Sequence, residues 1–138
     1  MKKIITFILI MFCLLMSGYS PLANQNSDSP LWEKYPDNSD KVFPDADTLY
    51  KSLDRNFYSE YENAKMNIRE KVFYKDINKV YSRADRYGKN RESGDGFHPK
   101  RQVYVFLTVS EDGKYVKTLT VDAETKRPLS KSEPLLQP

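Results

Sequence analysis

The single histidine is the first place to look for chemistry in this chain. His98 lies in a polar, glycine-rich stretch, GKNRESGDGFHPK at positions 88–100, beside Asp95. One imidazole cannot supply the ligand set of a histidine metal site, and no serine lies in a nucleophile elbow. The glycines of SGDG lack the Lys-Ser/Thr of a phosphate-binding loop. The stretch is predicted to be a flexible, solvated connector, with a basic, mobile binding loop as the alternative.

Carboxylates are the other groups that could do acid–base chemistry. Pairs for glycoside cleavage would have to come from Glu60, Glu62, Glu70 or Asp76, which lie among lysines on a predicted exposed helix face. The only cysteine, Cys13, lies in an apolar run and is expected to behave as a hydrophobic residue. Without it the chain has no thiol for a disulfide, a zinc site or a nucleophile. We therefore expect no enzyme, no metal and no cofactor.

Basic residues are concentrated in one part of the chain. Positions 65–101 carry eleven bases against five acids, whereas positions 24–62 carry nine acids against four bases. Either the two segments face each other or lie on solvated helix faces, or the basic one forms a positive face for an envelope protein or an anionic cell-surface polymer. Nucleic acid is not an expected partner. The candidate partner-binding residues are Trp32, Lys75, Lys79, Arg83, Arg86, Lys100 and Arg101.

The first 23 residues have the order of an export signal. Lys2 and Lys3 precede an apolar run at 4–16, and small residues follow it. As a helix the run would span about 20 Å, short of the roughly 30 Å hydrocarbon core of a bilayer. Residues 1–23 therefore predict export to the periplasm or the extracytoplasmic face of the membrane, or secretion. Cleavage after Ala23 is favoured, and retention as a membrane tether through 4–16 is the alternative.

Residues 15–19, LMSGY, resemble the signal of bacterial lipoproteins, in which an apolar residue and a small pair precede a cysteine that is lipidated. Tyr19 occupies the cysteine position here. It has no thiol to accept a lipid, so lipidation at this site is not expected. The resemblance implies a small envelope protein.

The rest of the chain is predicted to divide into a linker, one domain and a tail. Positions 24–44 carry three prolines among Asn, Ser and Asp, which predicts a flexible linker. Trp32 within it is either a packing anchor or an exposed recognition residue. Positions 45–129 are expected to form a small domain, and positions 130–138 a disordered tail.

The domain begins with a helical pattern. Apolar residues recur at spacings of three and four from 45 to about 70, which predicts an amphipathic helix capped by Asp45 or Asp47. The segment 71–87 continues this period up to Gly88, but it also contains strand-forming residues. We expect a break near 71–75 and a second helix, with two strands turning at 76–78 as the alternative. The apolar stripe consists of Leu49, Leu53, Phe57, Tyr61, Ala64, Ile68 and Val72.

The clearest strand pattern lies at 102–122. Val103, Val105, Leu107 and Val109 alternate with Tyr, Phe and Thr, EDGK supplies a turn, and a second alternating run follows. This pattern predicts an antiparallel hairpin whose first strand is apolar on both faces. The predicted fold class is α+β, with an N-terminal amphipathic helix, or two helices, packed on a small antiparallel sheet that contains the 102–122 hairpin.

The end of this hairpin, DGKYVKTLTVDAETKRPL, is similar to the closing hairpin of PepSY-type and cystatin-like domains of bacterial envelope proteins. Lys126 and Arg127 stand where those domains usually have a glycine. The resemblance implies a binding or inhibitory module without metal or cofactor. We expect an exported, envelope-associated binding or accessory protein that uses its basic face. The alternative is an inhibitor or immunity-type protein that blocks a partner through Trp32 or, by strand addition, through the edge of the hairpin.

Overall fold

A computed structural model describes residues 34–134, which form an α+β domain. Four antiparallel strands make one sheet in the order β1-β2-β3-β4, so sheet neighbours are also neighbours in sequence. The predicted export signal, 1–23, and Trp32 lie outside the described residues. The elements are helix α1 (Ala46–Ser52), strand β1 (Met66–Phe73), a 3-10 helix (Tyr74–Asp76), helix α2 (Ile77–Ser82) and strands β2 (Gln102–Val109), β3 (Val116–Asp122) and β4 (Pro128–Ser132).

Strand β2 is buried along its whole length. Its odd-numbered residues, 103 to 109, belong to one core, whereas Tyr104 and Phe106 belong to a second core on the other face of the sheet. This division follows from the period of two, which sends successive side chains of a strand to opposite faces. A strand that is apolar on both faces, as predicted here, is therefore covered on both sides.

Helix α2 covers the first core. Ile77, Val80, Tyr81 and Ala84 are spaced by three and four residues, and none is more than 4% exposed. The Tyr81 hydroxyl shares a 2.7 Å hydrogen bond with Oγ1 of Thr120 on β3. The helical period thus places one apolar stripe against the sheet.

Helix α1 covers the second core. Its Tyr50 and the following Tyr58 place their rings 5.9 and 6.0 Å from the ring of Phe106. Asp45 caps the helix, as predicted, because its Oδ1 accepts the Thr48 N–H at 2.7 Å. This hydrogen bond from the Thr48 backbone lowers the pKa of Asp45.

The predicted helix from 45 to about 70 is wrong beyond Ser52. The chain turns at Asp54, and Met66–Phe73 form strand β1, which pairs with β2 along its full length. Ile68 and Val72 are four residues apart, a spacing that places them on one face of a helix and equally on one face of a strand. The apolar stripe could not distinguish the two structures at this point, and pairing with the buried β2 favours the strand.

The second helix is confirmed as a shorter element. The predicted break at 71–75 coincides with the end of β1 at Phe73, and the 3-10 helix then leads into α2. Two strands turning at 76–78 are excluded because α2 begins at Ile77. The Gly88 N–H donates to the Ala84 carbonyl at 3.3 Å and closes the last turn of the segment.

The predicted hairpin is confirmed as β2 and β3, but it lies in the middle of the sheet, between β1 and β4. The predicted disordered tail, 130–138, is wrong for its first residues because β4 continues to Ser132. A register shift between Thr120 and Val121 accommodates Pro128 at the start of β4. Both edges of the sheet therefore lie outside the hairpin.

The described part of the predicted linker, 34–44, packs on the sheet. Asn38 is fully buried, its Oδ1 accepts the Gln102 backbone N–H at 2.7 Å, and its carbonyl accepts Gln102 Nε2 at 2.7 Å. The polar composition predicted a solvated segment, but Asn38 satisfies the backbone at the start of β2. Residues 24–33 lie outside the described part of the chain.

Candidate functional site

Four of the predicted partner-binding side chains lie along residues 74–87, which we call the helical segment; it comprises the 3-10 helix, α2 and the turns that follow α2. Lys75 is in the 3-10 helix, Lys79 is in α2, and Arg83 and Arg86 are in the turns that follow. Spacings of four, four and three residues place them on one side of the segment, and all four are exposed. We call these four residues the basic stripe. The other side of the segment is buried in the first core, which fixes the direction of the stripe.

Two members of the basic stripe hold carboxylates. Lys79 Nζ lies 2.7 Å from Asp76 Oδ1, and Arg83 Nη2 lies 2.5 Å from Glu70 Oε1. The hydrogen bond from Lys79 lowers the pKa of Asp76. Solvent reaches both ion pairs and screens them, so the cations remain accessible to a partner.

A groove of about 520 Å³ lies between strand β1 and helix α2. Val72, Phe73 and Val80 supply its apolar lining. Apolar surface with a few charged groups around it is the usual character of a binding site. The charged lining residues are Glu70, Lys71, Asp76, Lys79 and Arg83.

Strand β1 is an edge of the sheet, and alternate backbone groups of an edge strand are unpaired. The Tyr74 N–H donates to the Arg101 carbonyl at 2.8 Å, and the β1–β2 register continues unbroken from that point. Hydrogen-bonded pairs recur at every second residue of antiparallel strands, so the even-numbered residues of β1 bond to β2. The residues that direct their N–H and C=O groups away from β2, without a backbone partner among residues 34–134, are Asn67, Arg69, Lys71 and Phe73.

The other edge, β4, is shorter and better protected. It has five residues, begins with Pro128, which lacks an N–H, and carries the exposed Lys131. Ser130 Oγ donates to Glu92 Oε2 at 2.5 Å and ties the loop 88–100 to this strand. A short strand with proline and lysine resists strand addition. With eight residues, β1 is the more open edge.

Arg101 is not a surface contact, contrary to the sequence prediction. Its side chain is 2% exposed, and its Nε and Nη2 donate to Asp122 Oδ1 and Oδ2 at 2.7 and 2.9 Å. Its Nη1 lies 2.6 Å from Glu124 Oε2. The hydrogen bond to Asp122 raises the pKa of Arg101. A buried cation needs such partners, and they come from a turn that only the folded chain brings close.

Lys100 is exposed, and its backbone lies near the Lys75 end of the basic stripe. The carbonyl of the preceding Pro99 accepts the Lys75 N–H at 3.1 Å. His98 Nδ1 accepts the Lys100 N–H at 3.2 Å and lies 3.8 Å from Asp37 Oδ2. The structure thus brings five of the seven predicted residues to one region, buries Arg101, and does not describe Trp32.

The loop 88–100 is held by aromatic and ionic contacts that its glycine-rich composition did not reveal. The Phe97 ring stacks on Tyr35 and on Tyr74, with a centroid distance of 4.5 Å to each. Arg91 donates to both carboxylate oxygens of Asp85 at 2.7 Å. These contacts fasten the loop to both the 34–44 segment and the helical segment.

The carboxylates considered for acid–base chemistry are engaged by bases or exposed. Glu60 accepts two hydrogen bonds of 2.6 Å from Arg69, and Glu62 is exposed. Within residues 34–134 no group of three or more His, Cys, Asp or Glu side chains is placed to hold a metal ion. None of the helices in this part of the chain is long and apolar enough to cross a membrane.

The apolar half of the groove is not visible in the sequence pattern. That pattern predicts a helical stripe or a break at Val72 and Phe73, and their place on an edge strand depends on the pairing of β1 with β2. The spacing of Asp76 and Lys79, three residues apart in the helical segment, did contain the information that they could pair.

The fold and the site define an α+β domain with one core on each face of its sheet and with a basic, apolar-lined groove beside an edge strand. Comparison of the chain with family models, with curated proteins and with solved structures gives no match.

Proposed function

We propose that this chain is an exported, envelope-associated binding or accessory protein without catalytic activity. It contacts an envelope protein or an anionic cell-surface polymer through the basic stripe. The observation that supports this proposal is the placement of four exposed cations on one side of the helical segment, next to an apolar-lined groove.

The local charge balance favours an anionic partner. Glu70 and Asp76 each hold one cation of the stripe, which leaves Lys75 and Arg86 without an ion pair among residues 34–134. Positive potential that exceeds the local acids raises the concentration of an anionic partner at the surface and speeds association.

The experiment measures binding of poly-L-glutamate to the full chain and to two double variants. Lys75→Gln/Lys79→Gln removes two stripe cations and frees Asp76. Lys51→Gln/Lys114→Gln removes two cations elsewhere and frees Asp112, which Lys114 holds at 3.5 Å. The two variants therefore lose the same charge and expose one carboxylate each, and they differ only in position.

We expect the stripe variant to lose most of the binding and the matched control to retain it. Raising the salt concentration from 0.1 to 1 M shortens the screening length from about 10 to about 3 Å, so binding of the unaltered chain should fall steeply. If both variants lost poly-L-glutamate binding equally, or if the affinity did not depend on salt, the basic stripe would not be the binding site.

The proposed location is tested separately. Cells that produce the chain are fractionated, and the mass of the recovered protein is measured. Export with cleavage after Ala23, or retention in the membrane fraction with 1–23 intact, supports the proposal. Recovery of the intact chain from the cytosolic fraction contradicts it.

A further inference from the structure

We propose that the outer edge of β1 binds an extended, acidic segment of a partner polypeptide, which adds to the sheet as a fifth strand. The inference rests on the proposed function, because the basic stripe supplies part of the contact. It narrows the partner from any anionic surface to a protein chain in a strand conformation.

The backbone of β1 provides the first element of this site. Asn67, Arg69, Lys71 and Phe73 direct their N–H and C=O groups outward at every second residue. That spacing matches the hydrogen-bonding groups of another extended chain. An anionic polysaccharide or a lipid headgroup does not present this repeat.

The groove provides the second element. Side chains of an added strand alternate between faces, so every second one would lie on the α2 side of the sheet. There it meets Val72 and Val80, with Lys79 and Arg83 alongside. Lys75 adds positive charge from the 3-10 helix, and Lys71 adds it on the α1 side of the sheet; no carboxylate of residues 34–134 neutralises either in an ion pair. A segment that carries both apolar and acidic side chains on its α2-facing side is therefore complementary to this edge.

A second copy of the chain is a poor occupant of the same edge. In two-fold antiparallel pairing the outward residues must pair with one another, so the symmetry axis passes through one residue of β1. The two registers with the longest overlap centre on Arg69 and on Glu70. Each of them places one of these charged residues opposite its own copy, and like charges directly opposite are destabilising. The edge thus discriminates against self-pairing while it remains open to an acidic strand.

The experiment compares Lys71→Pro with Lys71→Ala in the full chain. Both variants lose the lysine charge and the hydrogen bond from Lys71 Nζ to the Phe43 carbonyl. Only proline removes the outward N–H, and at this position it removes no hydrogen bond to β2. The probe is a fluorescently labelled octapeptide in which every second residue is threonine and the residues between them are valine and glutamate in turn, so that one face carries both valine and glutamate. Thermal unfolding verifies that both variants are folded.

We expect Lys71→Ala to weaken octapeptide binding by less than about fivefold, because a single solvent-screened charge contributes little. Lys71→Pro should weaken it by a further factor of at least about ten, because a backbone hydrogen bond is lost and the ring obstructs the edge. A peptide methylated on every backbone nitrogen of its central four residues should not bind the unaltered chain. This second probe tests the same hydrogen bonds if Lys71→Pro does not fold.

Each other outcome overturns a defined part of the inference. Equal octapeptide binding by Lys71→Pro and Lys71→Ala, or equal binding of the methylated peptide, overturns strand addition and leaves the charge-based proposed function standing. Binding of poly-L-glutamate without binding of the octapeptide does the same. If octapeptide affinity changes neither with salt nor in Lys75→Gln/Lys79→Gln, the proposed function is overturned, and so is the preference of the β1 edge for an acidic segment. A chain that sediments as a dimer, and as a monomer with Lys71→Pro, identifies a second copy as the occupant and overturns the inference.

Discussion

Arg101 and Asp122 form a two-point ion pair whose partners are 2% and 0% exposed. The guanidinium also donates to the Pro36 carbonyl at 3.2 Å, and the carboxylate accepts the Thr125 N–H at 2.7 Å. The pair therefore joins the 34–44 segment, the start of β2 and the β3–β4 turn. This arrangement explains the VDA-x-T sequence at 121–125, in which Asp122 holds Thr125 as well as Arg101.

Removal of one partner of this ion pair should be strongly destabilising. Arg101→Met leaves the Asp122 carboxylate buried without its cation, and we expect the free energy of unfolding to fall by about 3–5 kcal/mol. Urea unfolding measures the change. Lys100→Met, at the exposed neighbouring position, should alter stability by no more than about 0.5 kcal/mol. A loss below about 1 kcal/mol for Arg101→Met would show that the pair is not a stabilising junction.

The same pair should make stability depend on acid pH. Burial alone would raise the pKa of Asp122, but hydrogen bonds from Arg101 and Thr125 outweigh it and hold the pKa below the ordinary aspartate value. Because the folded pKa is depressed, the stabilisation is present above the unfolded value of about 3.9 and is lost as pH falls through the folded pKa.

Asp122→Asn isolates this contribution from those of the other carboxylates. The difference in the free energy of unfolding between the unaltered chain and Asp122→Asn should be constant above about pH 5 and should shrink as the pH falls below about 4. Unfolding curves at pH 3 to 7 measure it. A difference that grows on acidification would contradict the sign of the pKa shift.

At position 126 glycine should give a more stable protein than alanine, whereas at most positions the order is the reverse. Its φ is +60°, the left-handed region in which a Cβ atom costs roughly 1 kcal/mol. Lys126→Ala and Lys126→Gly both delete the contacts of the lysine with Phe43 and Tyr104, so those contacts cancel in the comparison. We expect Lys126→Gly to be the more stable variant by about 1 kcal/mol in urea unfolding. The reverse order would place Lys126 outside the left-handed region in solution.

The Phe97 ring should protect the loop 88–100 from amide hydrogen exchange. Phe97→Ala removes both ring stacks, each worth about 0.5–1.5 kcal/mol beyond buried area. Hydrogen exchange at the His98 N–H, which donates to the Tyr35 carbonyl at 3.0 Å, should accelerate while exchange in β2 remains slow. Val42→Ala, at a 95% exposed position, serves as the control and should change neither. Unchanged exchange at His98 in Phe97→Ala would show that the stacks do not hold the loop.

Local pattern was sufficient to predict the parts of the fold in which one period dominates. The β2–β3 hairpin alternates strictly, and α2 is followed by Gly88 near the end of its segment. Strand β1 was not predictable in this way because Ile68 and Val72 satisfy the helical and the strand period together. Its identity depends on long-range pairing with β2.

The candidate site likewise has a part that local sequence pattern predicts and a part that depends on long-range pairing. The basic stripe could be predicted from the spacing of its charges along one short segment. The groove and the open edge could not, since both require β1 to be a strand. Arg101 illustrates the opposite error: a sequence shows that a cation is present, but its burial depends on a carboxylate 21 residues further along the chain.

Strand β2 is shared by two cores, and each of its apolar side chains belongs to only one of them. Valines and Leu107 at odd positions contact the α2 side, while Tyr104 and Phe106 contact the α1 side. Substitutions in one core therefore replace none of the side chains that form the other. The core beneath the groove can therefore be redesigned for a different binding partner, while the opposite core keeps its own side chains and continues to stabilise the fold.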